Sequence, residues 1–163
     1  QNMEFSDKVY RRNWDYYRAR CESASTLSYS VHSICASDTD EVESAYTYFM
    51  DAAEIDLSDS HNAVSMGVHS ACEAGAWLSV VRGISGIIFN DEYLKINPHM
   101  IPWWNEVSFS ITYQGQTLKV VLTNEEIKIT SSVENKNKVC VMLCGEKQYL
   151  SPNQTIQKAI IIA

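Results

Sequence analysis

Two short stretches carry residue types that could do chemistry. The first, "ASTLSYSVHS", sets adjacent hydroxyls, Ser25 and Thr26, ahead of a helical pattern. The second, "SMGVHSACEAGAWLSVV", sets Gly67-Val68-His69 at the start of a run of small residues. A helix N-terminus leaves backbone N–H groups without intrahelical partners and carries the positive end of the helix dipole, so both places suit an anion. Hydroxyls and an imidazole placed there can add hydrogen bonds to it. Each residue also has a plainer reading. Ser25 and Thr26 could be ordinary N-caps, and His69 could be a buried histidine satisfied by a neighbouring carbonyl. His32, one turn into the helix after the hydroxyl pair, reads as a satisfied structural histidine.

Other chemistries find less support. The chain has four histidines and five cysteines (Cys21, Cys35, Cys72, Cys140 and Cys144), yet no pair has the spacing of a zinc site, so no metal is expected. The odd cysteine count, without a C-x-x-C pair, reads as free thiols in a reducing compartment, the cytoplasm. A formal charge of −7 argues against nucleic acid as the main partner. No apolar run reaches the roughly 18 residues of a membrane span. Neither a basic n-region nor an apolar h-region opens the chain, so no signal peptide is expected, and a start at Gln1 suggests a piece of something longer.

The elements that would position these residues fall into two halves of the 163-residue chain. Residues 1–86 read as helical. Ser6 can cap a first helix, with Asp7 in its first turn and Val9, Tyr10, Trp14 and Tyr17 on one face. A second helix is predicted over Leu27 to Ala36, after a polar segment from Glu22 to Ser25. Asp40-x-x-Glu43 has capping-box spacing for a third, with Val42, Ala45, Tyr46 and Phe49 on its apolar face. The loop "DLSDSHNAVS" leads into the small-residue helix, which ends near Gly83 or Gly86. Each glycine costs that helix about 1 kcal/mol relative to Ala, so close approach of other helices on both sides must compensate.

From Ile87 the period changes to two, giving residues 87–163 a β pattern. Val107, Phe109, Ile111 and Tyr113 alternate with Ser108, Ser110 and Thr112. "YQGQT" is a turn and "LKVVL" the returning strand. "IKI", "VCVML", "QYL" and "AIIIA" follow, as in an antiparallel sandwich. Pro98 and Pro102 bracket the crossing between the halves at "IPWWNEV".

"NWDYYRARCESASTLSYSVHSICAS", "AYTYFMDAAEIDL" and "GVHSACEAGAW", in that order, resemble the C-terminal end of the disaccharide phosphorylases of glycoside hydrolase family 65. "GISGI" and "LKINPHMIPWWNEVSFSITYQGQTLKVVL" extend the resemblance, which runs from Phe5 to Ile129 and more loosely beyond. It implies an α+β chain: the last helices of an (α/α)6 barrel over 1–86, then a small antiparallel C-terminal β-sandwich domain over 87–163. It also implies an inverting phosphorolysis of an α-linked glucose disaccharide, in which phosphate attacks the anomeric carbon and a glutamic acid protonates the leaving oxygen. The products are β-glucose 1-phosphate and a sugar. No cofactor is implied, because inorganic phosphate is itself a substrate. The family's hydroxyl pair falls on Ser25 and Thr26 and its Gly-x-His motif on Gly67-Val68-His69, so the resemblance makes Ser25, Thr26 and His69 phosphate-binding.

Four positions depart from the family pattern: Met66 where an acidic residue is common, Ser23 and Ala24 ahead of the hydroxyl pair, and Ala76 within Gly75-Ala76-Trp77. The general acid lies upstream in the family; Glu43, Glu54 and Asp56 read as solvated faces or loop caps. The implied partners are disaccharide and phosphate, the remaining part of the same enzyme across an apolar seam, and a second copy in a homodimer. A trehalose hydrolase of the same fold, or a carbohydrate-binding or assembly module without chemistry, are the alternatives. This chain alone, mixed with disaccharide and phosphate, is expected to yield no sugar phosphate; detectable turnover would show that the acid lies within it.

Overall fold

The computed structural model describes residues 5–21, 25–59, 65 and 67–160. They fall into two compact units, Gln1–Ile84 and Ser85–Ala163. The polar stretch at Glu22 to Ala24, Met66, and the end of "AIIIA" at 161–163 lie outside the described residues.

The first unit is helical: α1 (Asp7–Arg18), α2 (Ser28–Ser37), α3 (Val42–Ala53) and α4 (Ser70–Leu78), the last continuing as a π-helical segment, Ser79–Ile84. α1 starts after Ser6 with Asp7 in its first turn, although the Ser6 hydroxyl makes no capping bond. Of its predicted apolar face only Trp14 is buried; Val9, Tyr10 and Tyr17 are exposed. Trp14 stands edge-on to His32 and Tyr48, with ring centroids 6.2 and 6.4 Å away. His32 is thus structural, but not satisfied as expected: its buried Nδ1 has no hydrogen-bond partner among the described residues. Burial holds its pKa below the ordinary value, because the charged ring would lose its solvation.

The capping box at Asp40 does not form. Asp40 takes a left-handed conformation, φ +57°, inside the turn between α2 and α3. Glu41 becomes the N-cap of α3, without a side-chain capping bond. Its carboxylate pairs with Arg11 instead.

α2 packs against α3 and against α4 with its π-helical extension. The small residues explain how. A Cβ built on Gly75 would lie 2.5 Å from Ser30 Oγ and 2.8 Å from Ser30 Cβ, and one on Gly83 would lie 3.3 Å from the Ile34 Cα. The two backbones approach where only hydrogen fits, and the burial this permits offsets the helix propensity lost. The serines at these contacts satisfy themselves on backbone carbonyls. Ser33 Oγ donates across to Ala45 O at 2.8 Å, and Ser79 Oγ donates to Gly75 O at 3.0 Å. A paired ion bond from Arg82 to Asp38, 2.9 and 3.0 Å, ties the π-helical segment to the end of α2. The opposite side of α4 is open: Trp77 and Leu78 are exposed, as are Leu27 and Val31 at α2.

The second unit holds two four-stranded sheets. One has the order β1 (Ile87–Phe89), β2 (Leu94–Ile96), β6 (Val139–Leu143), β7 (Glu146–Leu150). The other has the order β3 (Glu106–Tyr113), β4 (Gln116–Thr123), β5 (Glu126–Ser131), β8 (Thr155–Ala159). Pairing is antiparallel except for β2–β6, which is parallel and joins segments far apart in sequence. "IPWWNEV" therefore lies within the sheet unit, since β1 and β2 precede it and already belong to a sheet. The predicted turn is present: Tyr113 pairs with Gln116, and Gln114 and Gly115 both have positive φ, as a two-residue hairpin loop requires. Val107, Ile111, Leu118, Val120, Leu122, Ile127 and Ile129 are buried, each alternating with more exposed neighbours. Among the described residues the last strand ends at Ala159.

The close approach at Gly75 gives a direct expectation. Gly75→Ala forces a methyl into Ser30 and should destabilise the helical unit by about 1–3 kcal/mol. Adding Ser30→Gly, which removes the opposing atoms, should restore part of the loss. Thermal unfolding checks both; an Ala variant as stable as the parent would contradict the packing.

Candidate functional site

The two chemical stretches of the sequence become two helix starts in the first unit. Ser25 and Thr26 form the turn before α2, where the Ser28 N–H donates to Ser25 O at 3.0 Å. Leu27, not either hydroxyl residue, is the N-cap of α2, and no side chain caps it. The ordinary N-capping role is therefore absent. Ser25 is exposed and Thr26 half-buried.

His69 is the N-cap of α4, one residue ahead of the first turn in which the sequence placed it. Gly67 before it has φ +98°, a conformation that admits few side chains. The His69 side chain is neither dry nor fully exposed, at 20% of its free surface. Its partner is a carboxylate rather than a carbonyl. The backbone N–H of His69 donates to Asp56 Oδ2 at 2.6 Å, and its Nδ1 lies 2.6 Å from Asp56 Oδ1. One carboxylate thus holds both the chain and the ring at the helix start.

The two starts meet through a third residue. The thiol of Cys72, in the first turn of α4, donates to Thr26 Oγ1 at 3.1 Å. Thr26 accepts there, so its own hydroxyl proton stays available to another acceptor. Cys72 also forms a small buried cluster with Ile55, the neighbour of Asp56. Thr26, Asp56, His69 and Cys72 are consequently one linked set, and Ser25 adjoins it along the chain. The N–H groups of Ser70 and Ala71 have no intrahelical acceptor, as at any helix start. Together with hydroxyls and an imidazole they make a set of donors suited to an anion.

Sequence reasoning missed Asp56 and Cys72 as parts of this set. Asp56 lies 13 residues before His69, among Glu54 and Asp59, and nothing local separates it from them. Cys72 reads as one more small residue in a small-residue helix. Glu43 is exposed on α3, as expected of a solvated face. Among the described residues, no group of three or more His, Cys, Asp or Glu side chains could hold a metal ion, and no helix is long and apolar enough to cross a membrane.

Comparison with known proteins adds the following. Residues 1–78 match the glycosyl hydrolase family 65 central catalytic domain, and residues 88–149 match the C-terminal domain of the same family. The 3-O-alpha-D-glucosyl-L-rhamnose phosphorylase of Lachnoclostridium phytofermentans is 37% identical over 90% of this chain and 19% of its own length. The kojibiose phosphorylase of Halothermothrix orenii is 30% identical over 94% of this chain and 20% of its own. The alpha,alpha-trehalose phosphorylase of Thermoanaerobacter brockii is 35% identical over 78% of this chain and 16% of its own. A solved structure from the human microbiome, assigned as a kojibiose phosphorylase, superimposes with a TM-score of 0.86 at 31% identity, over 98% of this chain and 23% of that one. The chain thus spans about a fifth of the length of the curated relatives it matches.

The Asp56–His69 link carries a pH signature. Hydrogen bonds from the His69 ring, and then from its N–H, hold the Asp56 carboxyl below the usual range. A depressed folded-state value gives stability that is complete above the unfolded value of about 4 and is lost as pH falls through the folded one. Thermal melts taken down the acid limb should therefore fall less steeply for Asp56→Asn than for the parent; parallel limbs would contradict the link.

Proposed function

The chain belongs to glycosyl hydrolase family 65, and from that premise we propose that it is the C-terminal part of an inverting glycoside phosphorylase. The intact enzyme cleaves an α-linked glucose disaccharide with inorganic phosphate, giving β-glucose 1-phosphate and a sugar. Phosphate sits at the start of α4. Ser25 and Thr26 offer hydroxyl donors, and His69 offers Nε2, because Nδ1 is taken by Asp56. The observation that carries this reading is the Cys72–Thr26 bond, which joins the hydroxyl turn to the helix start bearing His69.

The chemistry asks for such a cradle. Phosphate must approach as a nucleophile beside a developing oxocarbenium ion while carrying two negative charges. Fixed N–H and O–H donors hold that charge without having to reorganise during the reaction. No activated water or second carboxylate is needed, unlike an inverting hydrolase. The glutamic acid that protonates the leaving oxygen belongs to the part of the enzyme outside this chain, and no cofactor takes part.

Residues 1–86 then supply the last helices of an (α/α)6 catalytic barrel, with α4 an inner helix. The exposed apolar residues Leu27, Val31, Trp77 and Leu78 are where the remaining part of the same enzyme covers them. The five cysteines, all free, fit the cytoplasm.

Steady-state phosphorolysis by the intact enzyme tests the proposal. Sugar phosphate should form only when phosphate is supplied. His69→Ala should raise the KM for phosphate about 10- to 100-fold, the loss of a charge-assisted hydrogen bond, with the disaccharide KM little changed. Equal sugar release with and without phosphate would overturn phosphorolysis in favour of hydrolysis.

A further inference from the structure

We propose that Asp56 is a positioning residue for the phosphate site, acting on the ligand only through His69 by fixing the ring's orientation and the nitrogen that carries its proton. The inference rests on the phosphate reading above and assigns a role to a residue outside its donor set.

The geometry is two-handed. Asp56 Oδ1 meets Nδ1 and Oδ2 meets the backbone N–H, both at 2.6 Å. An ionised carboxylate accepts only, so Nδ1 must carry the proton of the neutral ring. Nε2 is then the atom left for a ligand. A second proton on Nε2 turns it into a donor and places an imidazolium between two anions, the carboxylate on one side and the bound ligand on the other. Without the carboxylate, nothing at this junction sets which ring nitrogen carries the proton or how the ring is turned. The other ionisable groups around this junction are Tyr29 on α2, Asp51 on α3, and Cys72 and Glu73 in the first turn of α4.

Asp56 can serve as a reference point because it is itself held. Ile55 beside it is buried and clusters with Cys72. Cys72 in turn bonds to Thr26. Displacing Asp56 would therefore disturb the anchor shared by the hydroxyl turn and the imidazole. The backbone bond has a separate effect: it occupies the His69 N–H and leaves those of Ser70 and Ala71 for the ligand.

Kinetics of the intact enzyme in a double-mutant cycle decide the matter. Asp56→Ala should raise the KM for phosphate about tenfold and leave the disaccharide KM unchanged. In a His69→Ala background the same substitution should add nothing, because its effect passes through a ring no longer there. Histidine-selective 15N spectra give a second readout at a pH where the ring is neutral. The parent should show the proton on Nδ1. Asp56→Asn keeps an oxygen for the backbone N–H but offers Nδ1 an amide donor, so the proton should move to Nε2. An equal rise in phosphate KM in both backgrounds, or an unchanged tautomer in Asp56→Asn, overturns the positioning role. A phosphate KM unaffected by His69→Ala alone is a different failure: it removes the phosphate reading and this proposal's ligand with it, while the spectra still decide whether Asp56 sets the ring.

Discussion

One carboxylate holds the start of α4. Asp56 takes the backbone N–H of His69 with one oxygen and its ring with the other. The rest of the site depends on that junction being rigid. α4 can face the hydroxyl turn only if its first turn is fixed against α2, and two contacts do this from different directions. At Gly75 the absence of a side chain lets the helix approach Ser30 closely. At Cys72 a thiol reaches Thr26. Tight packing further along the helix and a polar clamp at its start together leave the junction little freedom.

Much of this fold was legible in the residues. The helix predicted over Leu27 to Ala36 lies within a residue of α2, the starts of α1 and α3 fall within two residues of the expected caps, and Gln114-Gly115 announced a hairpin. The small-residue run signalled close helix contact before any partner was known. What escaped was non-local. The parallel pairing of β2 with β6 joins strands whose local patterns look like any others. Asp56 and His69 lie 13 residues apart, and the neighbouring acidic residues are interchangeable by eye. Asp40 failed as a cap because a turn constraint, its left-handed backbone, outweighed a favourable spacing.

The hydroxyl-rich stretch teaches a related lesson. Its serines divide by depth rather than by type. Ser30, Ser33 and Ser37 are buried and serve helix packing, and Ser33 and Ser37 spend their hydroxyls on backbone carbonyls. Ser25 and Thr26, only a few residues earlier, lie in the turn before the helix, where the Thr26 hydroxyl accepts from the Cys72 thiol. Sequence composition cannot separate the two groups; helix phase can. The same phase leaves Val31, Trp77 and Leu78 uncovered, which agrees with a chain matching about a fifth of its relatives' length. In the proposed enzyme the labour is divided accordingly: this part recognises the anion, and the proton donor stands elsewhere.

The most direct test is a crystal structure of the intact enzyme with phosphate bound. The account predicts an anion at the N-terminus of α4, within hydrogen-bond distance of the Ser25 and Thr26 hydroxyls and of Nε2 of His69, with Asp56 still on Nδ1. Phosphate bound elsewhere, or Nε2 turned away onto a protein carbonyl, would contradict it.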